Sequence, residues 1–525
     1  MLIISSFIGY TLFVAGYSWW KLRNENLQSK DGYFLGGRSL TGVVIAGSML
    51  LTNISTEHLI GLNGSSYKNG FIVIAWEITS ALALILAALY FIPKYLKMGL
   101  TTIPEYLEKR FDNTTRTIVA LFLMLSFVIT LLPIVLYTGA INLESIFNIS
   151  EVLEVSKEKG LLVTVWVIGI IGSLYAIFGG LKAVAISDTI NGYGLLIGGL
   201  SVPLIALISI GDGNFINGFF QVYDHAPEKF NVIGSKDSVL PFEVLFTGLI
   251  INQIYFWSMN QTIIQRALGA KNLVEAQKGL LFTGALKILV PIIIILPGVI
   301  GFYYFGDSFY NNQDMIYPEL LKKIFPVTWI GIFAAIIMGA VLSTFNSVLN
   351  SAATIFSIDI YKRHLNKNSS DFKMVKIGKL TSAILAFFAI IVAPQVANAP
   401  DGLYQLLQQL NGIFFIPIAS IMLAGFFTKN VSAMAAKCAL FIGLLFYIIT
   451  TFIVKSDIHF IHIWGIEFLI NVFVMFIVSR FYKVTKMHEI KQENTIALIP
   501  WKYAKHISIL LFVITITIYI ILGFN

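Results

Sequence analysis

The sequence predicts an all-α polytopic membrane protein of about fourteen transmembrane helices. Three observations predict it. Apolar stretches of about 20 residues, the length a helix needs to cross a bilayer, recur fourteen times in the chain. Hydrophobic residues make up 57% of the 525 positions and charged residues only 12%, with a mean hydropathy of +0.81. Finally, odd-numbered connections between the stretches hold three quarters of the 36 Lys and Arg. That alternation is the positive-inside signature, so odd loops face the cytoplasm and both termini lie outside it. The expected location is the cell membrane, the inner membrane of a bacterium. A net charge of +8 distributed in this way serves topology and does not point to nucleic acid.

The stretches fall near residues 2–20, 40–66, 70–93, 115–148, 160–180, 184–211, 240–264, 279–305, 327–360, 374–399, 403–428, 431–454, 458–479 and 506–524. The first has no basic residue before it and Lys21, Arg23 and Lys30 after it, the reverse of a secretory signal peptide, so it stays as a helix. The second contains Asn53, Ser55, Thr56, Glu57 and His58 at mid-depth. Irregular backbone is tolerated there only where it is buried in protein or lines a cavity, and a broken helix is expected. The third carries Glu77 and Ser80, three apart on one face. Between the sixth and seventh, residues 212–241 read as an external loop with room for a short amphipathic helix. The seventh repeats the polar pattern of the second in Asn252, Gln253, Ser258, Asn260 and Gln261, and the eighth holds Lys287 with no acid in its own segment. A cation near the bilayer centre costs at least about 2.5–3.5 kcal/mol, so it must face a partner or a cavity. After the ninth, residues 361–379 are basic and polar and read as a headgroup-facing loop. The single cysteine, Cys438, lies in the twelfth as inert packing, which excludes disulfides.

Two interrupted helices five segments apart are the sequence pointer to a transporter site built by an inverted repeat. The division is then 1–39 for a peripheral helix and loop, 40–211 for a first five-helix repeat, 212–239 for an external loop, 240–428 for a second repeat, and 429–525 for peripheral helices. Polar residues in membrane helices also make ordinary interhelical bonds of about 0.6 kcal/mol, and any single Asn or Ser reads that way. Two matched clusters favour a site. No GxxxxGK[ST] motif occurs, so ATP drive has no support, and no nucleophile and base pair suggests an enzyme.

The segments FLGGRSL (34–40), TIPEYLEKRF (102–111), GGLKAVAISD (179–188), QRALGAKNLVEAQKG (265–279) and STFNSVLNSAATIFSIDIYKR (343–363) resemble the sodium:solute symporter family, nearest its bacterial sodium/galactose and animal sodium/glucose members. The resemblance implies a LeuT-type core, a co-transported sodium ion, and a small-molecule sugar moved across the lipid bilayer. It implies sodium ligands in the carbonyls of Leu51, Ile54 and Ala340 and the hydroxyls of Ser343 and Thr344, which suit a hard cation. Matching solute-site positions are His58, Glu77, Ser80, Gln253, Lys287 and Gln408, and Glu77 and Lys287 are expected to pair across the cavity. Gate positions are Leu62, Phe256 and Tyr404. Asp188 resembles an acid near the sodium exit path; Ser187–Asp188 suits a helix N-terminus equally.

Departures from the galactose pattern bear on specificity. Leu131 stands where a site asparagine is usual, Phe256 replaces a tyrosine, and His58 replaces a glutamine as in the animal sugar transporters. A missing hydrogen bond discriminates strongly between solutes, so the sugar itself is open, with myo-inositol, sialic acid or a monocarboxylate as rivals. A non-transporting sensor with the same fold is the alternative of another class. His459 and His462 lack a third ligand and read as interfacial, and the partner of Glu57 is not legible.

Overall fold

The structure, a computed structural model, describes residues 2–23, 27–398, 403–484 and 497–523. The last residues of the stretches expected at 374–399 and 506–524 lie outside these. The described residues form helices joined by short turns, with a single isolated β-bridge, Leu40 to Ala270. The principal ones are α1 (Leu2–Leu22), α2 (Gly42–Asn53), α3 (Ala75–Leu86), α4 (Leu132–Phe147), α5 (Lys157–Ile210), α6 (Gly248–Ser258), α7 (Gln261–Leu268), α8 (Leu273–Phe305), α9 (Val327–Ile355), α10 (Asp371–Val392), α11 (Leu403–Phe427), α12 (Ala433–Ile448), α13 (Phe460–Phe481) and α14 (Ala504–Gly523).

Twelve helices among the described residues are long and apolar enough to span a membrane. They correspond to twelve of the fourteen expected stretches. The other two are the stretches with polar centres, and each is divided. α2 stops at Asn53 because Ile54 leaves helical geometry (φ −84°, ψ 80°), and the chain resumes as a π-helical turn at Glu57–Leu62. α6 stops at Ser258, and Asn260 starts α7 by accepting from Thr262 N at 2.9 Å. α5 covers two stretches, because Gly180 turns the chain with φ +60° between its halves.

α2 packs against α5 and α8, α9 against α5 and α2, and α3 against α8 and α6. The two broken helices are thereby enclosed. α8 approaches the outer half of the first broken helix closely: a Cβ on Gly298 would fall 1.9 Å from Ser66 Oγ, while Asn63 and Ser66 donate to the carbonyls of Ile294 (2.6 Å) and Ile295 (2.9 Å). α11, α12 and α13 form a neighbouring group that reaches the core through α6.

The external segment contains the expected short helix, Phe215–His225. The basic stretch 361–379 is mostly not a loop. A π-helical segment prolongs α9 to Leu365, and Ser370 caps α10 from Asp371, because the polar side chains can project to the headgroups from a helix and leave no unpaired backbone. His459 caps α13 and its Nε2 meets Val239 O at 3.2 Å, tying the segment before α6 to α13, while His462 Nδ1 meets Thr247 Oγ1 at 3.1 Å and ties the start of α6 to it.

Candidate transport site

The break after α2 frees backbone oxygens. In a continuous helix Ser55 N–H would serve the Leu51 carbonyl, but here it donates to Asn53 O (3.0 Å). His58 N–H likewise donates to Ser55 O (3.1 Å), leaving the Ile54 carbonyl without its helical donor. Across from them α9 presents Ser343, whose buried hydroxyl faces Asp188 without a hydrogen bond of ordinary length, and Thr344, which donates to Thr52 O at 3.0 Å. Ala340 is fully buried one turn earlier. Oxygens from a broken helix and two hydroxyls therefore converge, the donor chemistry a small hard cation needs.

Lys287 on α8 and Glu77 on α3 form an ion pair, with 1% and 0% of each residue exposed. Lys287 Nζ also donates to Asn53 Oδ1 at 2.5 Å and lies 5.6 Å from the centre of the Trp257 ring. His58 Nε2 stands 3.5 Å from Glu77 Oε1, and its Nδ1 stands 3.8 Å from Glu57 Oε1. One charged cluster thus ties α2, α3 and α8 together at the break. The pair does not meet across the cavity as expected: Asn53 and His58 line the cavity, whereas Lys287 and Glu77 sit behind them.

The cavity lies between both breaks, α3, α9 and α11. His58, Ser80, Gln253, Gln408, Phe256, Tyr404 and Thr344 border it, as does Leu131, where no polar group replaces the missing amide. Leu62 is buried and does not. Gln253 is fully engaged by the protein. Its Nε2 donates to Trp76 O (2.8 Å) and Thr79 Oγ1 (3.0 Å), and its Oε1 accepts from Ser80 Oγ (3.2 Å) and Trp257 Nε1 (3.1 Å). The unpaired buried atoms at the cavity belong to Asn252 (Oδ1), Asn260 (Nδ2), Asn411 (Oδ1), Glu57 (Oε2) and His58 (Nδ1). Asn411 was not legible beforehand, since a lone Asn in an apolar helix ordinarily bonds a neighbour.

Tyr404 stands edge-on to His58 (5.1 Å) and to Trp76 (5.6 Å). Both Trp76 and Tyr404 also border a second, polar recess with Lys68, Asp237 and His459, so the two rings separate that recess from the cavity. Asp188 lies inside the second half of α5, past the Gly180 turn, which removes the helix-cap reading. Its Oδ2 accepts from Ser48 Oγ at 2.7 Å and lies 3.6 Å from Arg266, while its Oδ1 is unpaired.

The pattern of the sodium:solute symporter family matches residues 33–443. The "Uncharacterized symporter YidK" of Escherichia coli (strain K12) is 44% identical over 96% of this chain and 88% of its own length. The sodium/glucose cotransporter of Vibrio parahaemolyticus is 33% identical over 82% of each chain. A Na+-coupled sialic acid symporter solved in a substrate-bound outward-open state superposes with a TM-score of 0.78 at 22% identity, covering 93% of this chain and 99% of that one. The fold is thus the LeuT-type helical one, in a multi-pass membrane transporter rather than an enzyme, with sodium as its co-transported ion. The chain belongs to the sodium:solute symporter family.

Proposed function

We propose that the protein is a symporter that uses sodium to import a neutral, hydroxyl-rich solute, a hexose such as glucose or galactose, by alternating access. The observation that carries this reading is the cavity wall: unpaired amide and imidazole atoms beside the rings of Trp76, Phe256, Trp257 and Tyr404, with the buried Lys287 ammonium behind it already neutralised by Glu77. Such a wall offers a sugar both hydrogen-bond partners and ring faces.

Sodium bound by Leu51, Ile54, Ala340, Ser343 and Thr344 would hold the α2 break against α9. That break carries Asn53 and His58 into the cavity wall, so ion binding would order the solute site. Asp188, with its free oxygen, would lie on the ion's inward path. One sodium moving inward gains about 2.3 kcal/mol per 100 mV, enough to concentrate a neutral solute substantially. Ser80 and Gln253 would position the wall, with Gln408 and His58 nearer the solute, while Phe256 and Tyr404 would cover it from either side. Leu62 would act only by packing. We further propose the five-helix repeats at 40–211 and 240–428, and the bacterial inner membrane with both termini outside the cytoplasm, on the distribution of basic loops.

Myo-inositol offers the same chemistry as a hexose. A carboxylate solute, sialic acid or a monocarboxylate, would meet the unpaired oxygen of Glu57 at the wall, which disfavours it. Uptake of labelled hexoses, myo-inositol and sialic acid into proteoliposomes under sodium or potassium gradients tests both parts. Sodium-dependent accumulation of a neutral polyol is expected; equal accumulation under potassium defeats the coupling, and preference for sialic acid defeats the neutral solute.

A further inference from the structure

α13 carries another buried acid that the transport site does not use. Glu467 is fully buried, and neither of its oxygens has a hydrogen-bond partner. Trp464, Glu467 and Asn471 share one face of α13, and the adjoining helices are cut to fit that face. A Cβ on Gly412 of α11 would fall 2.1 Å from Trp464 Nε1, and one on Gly443 of α12 would fall 2.4 Å from Asn471 Oδ1. Trp464 and Asn471 are themselves fully buried; Asn471 Oδ1 is unpaired, whereas Trp464 Nε1 faces the Tyr447 hydroxyl. Two neighbouring polar groups are engaged: Asn471 Nδ2 with Ser420 Oγ (3.2 Å) and Tyr447 OH with Gln409 O (3.0 Å).

Among the described residues no charge balances this acid. α11, α6 and the turn Ile449–Ile453, all packed on α13, contain no ionised side chain; their titratable groups are Tyr404 and Tyr255. α12 offers Tyr447 and Cys438, and its Lys437 is paired with Asp112 at 2.9 Å. On α13 itself His462 is bound to Thr247, and Arg480 lies near the opposite end. A bare carboxylate in such a place is strongly disfavoured, because nothing replaces the water it gives up. A metal cation would need several oxygens and would be repelled by the indole N–H. A neutral carboxyl presents a donor, which a carboxylate lacks, and that donor matches the free acceptor Asn471 Oδ1.

We propose that Glu467 is a proton-binding site: its carboxyl holds a proton while sealed between α11, α12 and α13 and exchanges it when α11 moves and admits water. α11 also brings Tyr404, Gln408 and Asn411 to the transport cavity, and Trp464 meets the cavity residue Trp76 at 6.3 Å. The proton site therefore adjoins the element that must move in alternating access, whatever the solute.

The test needs no transported solute. Infrared spectra of the purified full chain in detergent at neutral pH are compared with those of Glu467→Gln, and Glu467→Asp guards against a folding defect. A protonated-carboxyl C=O stretch in the native protein that is lost in Glu467→Gln, kept in Glu467→Asp, and shifted in deuterated water is the expected result. A difference spectrum with carboxylate bands alone overturns the proposal. So does a band that vanishes when sodium replaces choline, which would make the site a cation site, and a band that never shifts in deuterated water overturns exchange.

Discussion

Lys287 and Glu77 pair behind the cavity wall, where the ammonium also holds Asn53 Oδ1 at 2.5 Å and so fixes the last residue of α2 before its break. Removing one partner of a buried pair leaves the other charge stranded at about 3–5 kcal/mol, whereas replacing both by neutral groups is often tolerated. Lys287→Ala should therefore lower the melting temperature in detergent and abolish solute uptake, while Lys287→Met with Glu77→Gln should recover the melting temperature without recovering uptake. Sodium binding should suffer less than solute binding in the double variant. Full uptake by that variant would show that the pair has only a packing role.

The hydroxyls of Ser343 and Thr344 make different predictions, because one is engaged and the other is not. Ser343 Oγ makes no hydrogen bond of ordinary length, only a longer contact to Asp188, so Ser343→Ala should cost the sodium-free protein less stability than Thr344→Ala and raise the sodium concentration for half-maximal uptake several-fold. Thr344→Ala also breaks the bond to Thr52 O, and should lower stability by about 1 kcal/mol in addition to weakening sodium. Melting curves with and without sodium separate the two effects; an unchanged sodium requirement in both variants rejects them as ligands.

Arg116 gathers Glu105 (3.5 Å), Glu108 (2.5 Å) and Asp359, tying the helix Ile103–Arg110 to the π-helical extension of α9. Burial alone would raise the Glu105 carboxyl, but the charges of Arg116 and Lys30 and the N–H groups of Thr101 and Thr102 outweigh it and hold it below the ordinary value. Its contribution to stability is therefore present above the unfolded carboxyl value of about 4.3 and is lost as pH falls through the lower folded value. Wild type should melt higher than Glu105→Gln at neutral pH, with the gap closing on acidification. A gap that widens toward acid would reverse the sign of this argument.

The two helix breaks are legible in sequence because intramembrane polarity is expensive, and Asn53–His58 and Asn252–Gln261 concentrate it at single depths. The Lys287–Glu77 pair is legible for the same reason, since each charge demands the other. Which way the pair faces is not, because hydropathy has no angular information finer than a helix face. Glu467 is as costly as Lys287, yet a search for opposite charges passes over it, for its neighbours are an indole, a phenol and an amide. The reading of Asp188 as a cap fails because the Gly180 turn starts its helix two turns earlier than the apolar boundary implies.

Gln253 is the clearest divergence between position and role. A primary amide has two donor hydrogens and two acceptor lone pairs, and all four are occupied by Trp76 O, Thr79, Ser80 and Trp257. A solute could bond it only by displacing one of these. Gln253→Leu should thus strand the Trp257 indole N–H, costing about 1–3 kcal/mol, and should lower the melting temperature whether or not solute is present. Asn411 and Asn260 behave oppositely, since each holds an unpaired atom at the cavity. Asn411→Ala should leave α11 intact, because no bond from its Oδ1 is lost, and should raise the solute concentration for half-maximal uptake about tenfold, the equivalent of one hydrogen bond of about 1.4 kcal/mol. Asn260→Ala should weaken solute binding as well but also uncap α7, where its Oδ1 accepts from Thr262, so its melting temperature should fall too. Measuring solute affinity and melting temperature on all three variants separates ligand from scaffold: loss of affinity without loss of stability belongs to Asn411 alone, and the same signature in Gln253→Leu would return that glutamine to the solute.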